Sequence, residues 1–403
     1  MLINKNLYVK IERSLNSLEN WIHSNGWSGF DPYDIKELPF IIKITDLGNK
    51  YFIAEVLREI IFEFFLYFPK FSRKLFGVKP RKNAKAMGLF AKSYLDLYNH
   101  YGKEKYLEKA KECISWLDKN YSTNFEGKGW GYPFGWQSKK TIPRNTPNGI
   151  VTTAVGSAYF AMYKQTGKKE YLDTCKDICV FLTHLPIDYI NNDQLCFSYT
   201  PIFINHVHNL NLFVAEFLIR VGKETNNNEW VSLGIRAANY TIANQDEDGS
   251  FDYDGPPEKL RNFKDNYHTG YILLRLYSIW KLTNNEKYFS SLKKCYTHYI
   301  HNFFEFKKIP KFTPERKYRI DIHSSAASIL CLSELSEVFP EGLGIAKNVA
   351  EWTIDTLQNK DGYFYYGIFK NRITGKPFVS KIPFMRWGQA WMLRGLSVLL
   401  QKI

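Results

Sequence analysis

The sequence predicts an all-α fold, an (α/α)6 toroid of six helical hairpins closed by pairing of the N- and C-terminal helices. Three observations carry this prediction. A helix–turn–helix unit recurs along the chain, an aromatic or glycine-rich segment follows each second helix, and the two ends complement one another.

The repeat is visible in YGKEKYLEKAKECISWL from Tyr101, TGKKEYLDTCKDICVFL from Thr166, TNNNEWVSLGIRAANYTI from Thr225 and TNNEKYFSSLKKCYTHYI from Thr283. Each copy opens in a short Gly/Asn turn and places an aromatic five residues on, at Tyr106, Tyr171, Trp230 and Tyr288. Apolar residues then continue at helical spacing. The copies recur at intervals of roughly 60 residues, as in repeat architectures. A weaker fifth copy begins at Phe339.

Taken in order, residues 7–22 read as the second helix of a hairpin, followed by the loop NGWSGFDPYD. Residues 36–80 do not fit the repeat and read as an insertion. It holds an extra amphipathic helix at 51–68, with Glu55, Glu59 and Glu63 on one stripe, and the basic residues Lys70, Arg73, Lys74, Lys79, Arg81 and Lys82 follow it. The first helices of the next five hairpins are AMGLFAKSYLDLY, IVTTAVGSAYFAMY, LNLFVAEFLIRV, YILLRLYSIWKL and SSAASILCLSEL. Short turns make the two helices of each unit antiparallel neighbours. The connecting loops are GKGWGYPFGWQ, NDQLCFSYTP, DEDGSFDYDGPP and NKDGYFYYGIF. Last comes RWGQAWMLRGLSVLL at 386–400, a first helix without its second. Pairing it with 7–22 completes the sixth hairpin and one domain over 1–403. An open solenoid would need polar capping repeats instead.

Composition bounds the function. With 45% hydrophobic and 17% aromatic residues the chain is globular. A net charge of +14 suits an anionic partner. No zinc-finger or RNA-recognition motif and no basic groove-reading helix is present, which argues against nucleic acid. The six cysteines form no CxxC pair and read as buried reduced thiols. The N-terminal segment does not read as a signal peptide, and no apolar run reaches the ~18–20 residues of a membrane span. A cytoplasmic protein is expected. The 51–82 stretch either docks on its own domain or touches an anionic membrane face.

In a toroid of hairpins the aromatic loops and the N-termini of the first helices gather at one end, where free N–H groups favour anionic ligands. The residues at those helix starts are therefore compared as a set. They are Thr146 and Asn148; Asn205, His206 and His208; Asp265, Tyr267, His268 and Thr269; Asp321, His323 and Ser324; and Arg386, Trp387 and Gln389. Asp, Asn, Ser and Thr are ordinary helix caps. Tyr, His, Arg and Trp are not, and their recurrence at one end points to a pocket. The loops add Trp27, Asp31, Tyr33, Asp34, Trp130, Trp136, Asp252 and Asp254 as aromatic platforms and carboxylates for a sugar. No metal motif is found and no cofactor is expected.

The repeat, with NGWSGFDPYD near the N-terminus, DNYHTG at 265–270 and RWGQAW near the C-terminus, resembles bacterial polysaccharide-biosynthesis proteins of the VpsJ type. The likeness spans nearly the whole chain and implies the six-hairpin group, which includes glycoside hydrolases, lyases and sugar epimerases. DNYHTG also resembles a W-D-Y-H-T segment of glucuronyl carbon-5 epimerases, which act on heparan-type chains. There the tyrosine is an acid/base catalyst, which implies that role for Tyr267; Asn266 stands where the epimerase has aspartate.

Proton removal beside a uronate carboxylate needs a base and cations to hold the developing charge. A tyrosine serves as base only if positive charge lowers its pKa, and His268 or Arg386 is expected to supply it. Catalysis is thus assigned to Tyr267, His268, Asp265, Asp321, Asp31 and Asp34. The expected substrate is an acidic, uronate-containing glycan of a surface or capsular polysaccharide, changed by epimerisation or elimination. One alternative is a glycoside hydrolase, whose paired carboxylates stand about 5–5.5 Å apart if retaining and about 6.5–9.5 Å if inverting. A non-catalytic glycan-binding scaffold is another. The loops QDEDGSF and QNKDGYF leave a terpenoid cyclase as a remote third.

Overall fold

The computed structural model describes residues 2–257, 263–372 and 374–403. Five hairpins follow one another: α5 (Ala84–Tyr101) with α6 (Glu104–Asp118), α7 (Gly149–Thr166) with α8 (Lys169–Thr183), α9 (His208–Thr225) with α10 (Asn228–Ala243), α11 (Asn266–Thr283) with α12 (Glu286–Asn302), and α13 (Ile322–Glu334) with α14 (Glu341–Leu357). The sixth pairs α15 (Trp391–Leu400) with α1 (Leu2–Ser24), which packs on both α15 and α14. The first helices form the inner ring. Each packs on the next, from α5 through α7, α9, α11 and α13 to α15, and α15 returns to α5. The chain is an (α/α)6 toroid closed across its two ends.

Inner and outer helices differ in burial for the reason the ring dictates. Outer α6 and α12 bury one face, as amphipathic helices do. Inner α9 and α13 are buried on nearly all sides. The turns follow from backbone chemistry. Inner helices α5, α7, α9 and α11 end at Gly102, Gly167, Asn226 and Asn284, all left-handed with φ between 53° and 69°. Glycine and asparagine adopt that conformation most cheaply, so they stop the helix and let the outer one begin within three residues.

The insertion holds three helices rather than one: α2 (Pro39–Gly48), α3 (Phe52–Tyr67) and α4 (Pro69–Leu75). Ile35, Ile41 and Phe65 give it a small core of its own. Three of the four loops named above, together with the segment between α12 and α13, contain short antiparallel strand pairs. The longest are β3–β4 (Ile187–Asn191 with Gln194–Phe197) and β8–β9 (Gly367–Lys370 with Pro377–Ser380). Strand β7 (Ile320–Asp321) joins β8 and delivers the chain to the start of α13.

Candidate active site

Four inner helices start at a side-chain cap. Asn83, Asn148, Asp265 and Asp321 accept the backbone N–H of Lys85, Val151, His268 and His323 at 3.0, 3.0, 2.8 and 2.9 Å. Each cap satisfies an otherwise unpaired N–H. α15 is entered through a π-helical turn, Met385–Ala390, a distortion common at functional sites. Its buried residues Arg386 and Trp387 tie the ring together. Arg386 donates from Nε and Nη2 to the two Asp31 oxygens at 2.6 and 2.8 Å. Trp387 Nε1 donates to Asp321 Oδ1 at 2.8 Å, and its ring lies 5.5 Å from Tyr267 and 5.8 Å from Tyr33. Gly29 lets the N-terminal loop lie against this turn, because a Cβ there would meet the Met385 Cβ at 2.6 Å. Asp31, Tyr267, Asp321 and Arg386, spread over 355 residues of sequence, therefore belong to one cluster.

Within it, Asp265 does two things. One oxygen caps α11, and the other holds His268 Nδ1 at 2.6 Å. A carboxylate on Nδ1 fixes the tautomer, so the Nε2 lone pair becomes the basic atom. That Nε2 has no protein partner among the described residues, and the imidazole is partly exposed. Tyr267 lies beside it, ring centroids 4.4 Å apart, and its hydroxyl is also unbonded. Burial, then the Asp265 charge, push the Tyr267 phenol well above 10, with Arg319 opposing. Tyr267 thus keeps its proton. Burial therefore works against the cation-lowered tyrosine expected from the sequence.

A second pair lies behind them. His323 Nδ1 donates to the Trp387 carbonyl at 2.8 Å, so Nε2 accepts from the Tyr271 hydroxyl at 2.5 Å. Burial and the nearby Lys85 charge hold His323 well below 6.5, hence neutral. Lys85 itself is a residue the sequence analysis missed. Its Nζ stands 5.2 Å from the Trp391 ring centroid and 5.7 Å from that of Tyr271, buried, with no hydrogen bond or ion pair among the described residues. Burial, then Arg386, depress its pKa well below 10.5. The Asn83 cap two residues earlier was the signal that placed Lys85 at a helix start. Arg319 is the other missed cation. Its Nε is buried without a hydrogen bond, 3.4 Å from Asp321 Oδ2, which also lacks one. Burial raises the Asp321 carboxyl, with Arg319 opposing.

The remaining expected site residues are distributed unevenly. Tyr33 stacks on Phe134, and Trp136 packs on Tyr132 and Phe134 at the rim. Asp34 sits one layer back, paired with Arg73 at 2.7 Å. Asn148 is fully buried as a cap, with its Nδ2 unbonded. His206, His208 and Asp254 form a separate group turned toward outer helix α10. His206 Nε2 pairs with Asp188 at 2.8 Å, His208 stacks on Tyr240 at 5.6 Å, and Asp254 bridges to Val207. Three residues lie in the core instead. Trp27 is buried with Nε1 toward the Tyr94 hydroxyl, and Trp130 donates to the Leu117 carbonyl against Tyr159. Gln389 bonds both backbone atoms of Phe364, locking a loop to the π turn. Among the described residues no group of three His, Cys, Asp or Glu side chains is placed to hold a metal ion.

No family model matches the sequence, and no curated protein gives a significant match. Solved structures do. A cellobiose 2-epimerase from Bacillus thermoamylovorans aligns with TM-score 0.63 at 12% identity, covering 81% of this chain and 90% of that one. A sugar epimerase from a ruminal bacterium aligns with TM-score 0.60 at 11% identity over 81% and 90%. An unsaturated glucuronyl hydrolase from a Bacillus species, responsible for glycosaminoglycan degradation, aligns with TM-score 0.57 at 13% identity over 79% and 87%. The chain shares the fold of these carbohydrate-processing enzymes. At such identities the likeness extends to the fold alone.

Proposed function

We propose that this protein is a carbohydrate-active enzyme of surface-polysaccharide biosynthesis that moves a proton at a uronate carbon, epimerising or eliminating within an acidic glycan. The supporting observation is the pairing at the start of α11. An Asp265-oriented His268 offers a free Nε2 beside the free hydroxyl of a protonated Tyr267. His268 takes the proton next to the carboxylate, and Tyr267 returns one to carbon or to the leaving oxygen. Such acid–base assistance is worth about 10²–10⁴-fold. Lys85 and Arg319, with the α11 and α13 N-termini, supply positive charge for the carboxylate and the enediolate-like charge that grows on it. That the neighbours in fold include epimerases and a glucuronyl hydrolase supports the same class.

One observation favours hydrolysis as the second reading: the raised, half-bonded carboxyl of Asp321 resembles a general acid. Its partner is the difficulty, since Asp31, Asp34 and Asp265 are tied to Arg386, Arg73 and His268. Incubation with uronate-containing oligosaccharides in heavy water separates the two. Deuterium at carbon 5 marks epimerisation and a new ultraviolet-absorbing double bond marks elimination. New reducing ends without either would replace the proposal by hydrolysis. Tyr267→Phe and His268→Gln should each lower exchange by at least about 100-fold.

A further inference from the structure

The insertion leaves an apolar surface uncovered. On α3, residues Ile53, Val56, Leu57, Ile60 and Phe64 are exposed, Ile53 at 82% and Ile60 at 60%. Their spacing places them on one helical face. A different face of α3, with Phe65 and Ile61, packs into the insertion's own core. The acidic stripe of Glu59 and Glu63 is also engaged, paired with Arg372 of the β8–β9 turn. The exposed face is therefore left over after the helix has docked. It continues through Phe68, between the two helices, onto α4, where Phe71 and Leu75 like Phe68 are more than half exposed, and Phe64 makes ring contacts to Phe68 and Phe71. A contiguous aromatic and aliphatic patch of this kind marks an interaction surface.

Charge indicates what covers it. Lys43, Lys70, Lys74 and Lys79 are exposed in and around α2 and α4, and none has an ion pair among the described residues. The insertion's acids are largely neutralised: Glu37 by Arg81 and Arg144, Asp46 by Lys50, and Glu55 by Arg58. Phenylalanine and isoleucine fringed by free lysines, on helices too short to span a bilayer, match a surface that lies in an interface with anionic headgroups. We infer that α3 and α4 dock this protein peripherally on an anionic phospholipid membrane. The surface is bolted to the ring. Arg73 of α4 binds Asp34 at 2.7 Å, Asp34 accepts the Asp31 N–H at 2.9 Å, and Asp31 holds Arg386. Docking would thus set the candidate site at a fixed attitude to the bilayer.

Flotation of the full chain with phosphatidylcholine vesicles, with and without phosphatidylglycerol, tests this. The protein should float with the anionic vesicles only. The triple variant Ile53→Ser, Ile60→Ser, Phe71→Ser should stay in solution with an unchanged circular dichroism spectrum. Lys70→Glu with Lys74→Glu, which leaves the apolar face intact, should weaken partitioning by roughly thirtyfold or more, about fivefold per lysine. Equal binding to neutral vesicles, or no binding to either, would overturn the inference. So would a dimer in sedimentation velocity that the triple variant abolishes, since a second copy would then be the occupant.

Discussion

Replacing Asp31 by alanine should destabilise the protein by about 3–5 kcal/mol, the usual cost of leaving one member of a buried ion pair alone. The structure places this pair at that upper range. Both side chains are almost fully buried, the two bonds are 2.6 and 2.8 Å, and the Arg386 guanidinium is enclosed by Tyr132, Phe134 and Trp387 with no second carboxylate bonded to it among the described residues. Surface pairs, by contrast, contribute about 0–1 kcal/mol. Urea unfolding followed by tryptophan fluorescence gives the number, and a double-mutant cycle with Arg386→Leu isolates the coupling. Asp31→Ala with Arg386→Leu should recover much of the loss, because no uncompensated charge then remains. A single-mutant cost below about 1 kcal/mol would mean that the pair is solvated. The N-terminal loop would not then be clasped on the π turn, and the ring closure that assembles the site would be refuted.

Other expectations follow from the same cluster. Lys85→Met should stabilise the unliganded protein by about 1–3 kcal/mol, as an unbonded buried amine is replaced by an apolar chain of similar length, while affinity for a uronate falls; a lower melting temperature would disprove the lysine's isolation. Lys92, on the same helix, is pushed down to about 8 by burial and then by Arg394. Between pH 8 and 10.5 the unfolded chain holds a proton there that the folded chain has released, so stability should climb with pH in that window, by up to about 1.4 kcal/mol per unit. In Lys92→Met the climb should be missing, as denaturant titrations at both pH values will show. All six cysteines are free and buried, and burial raises the Cys113 thiol. A thiol reagent should label the native protein slowly and all six sites at once on unfolding.

The ring was legible because its signals are local. Gly102, Gly167, Asn226 and Asn284 announce the turns, and the apolar spacing on either side needs no tertiary knowledge. In the insertion, Pro39 and Pro69 stand at the first turns of α2 and α4 and could have revealed both helices. The site was only half legible. Asp265, Tyr267 and His268 are neighbours in sequence, and a capping residue next to two aromatics is visible as a string. Tyr271 was lost in the apolar run YILLRL. Lys85 looked like one more basic residue after Lys79, Arg81 and Lys82 until α15 closed over it. Trp27 and Trp130 erred in the other direction: glycine-rich surroundings suggested a rim, whereas Tyr94 and Tyr159, 67 and 29 residues away, bury them. The direction of the Tyr267 pKa was equally out of reach, being set by burial that only the assembled ring creates.

The left-handed stops at one end of the barrel and the long connections at the other divide the molecule into a chassis and an interchangeable face. Segment 119–147, which stops short of the Asn148 cap, bridges two hairpins whose inner turns are fixed by Gly102 and Gly167. Grafting a foreign connection there should therefore change the residues around the candidate site without disturbing how the barrel closes. The tight turns offer no such freedom, and selection for new specificity should fall almost entirely on the opposite side.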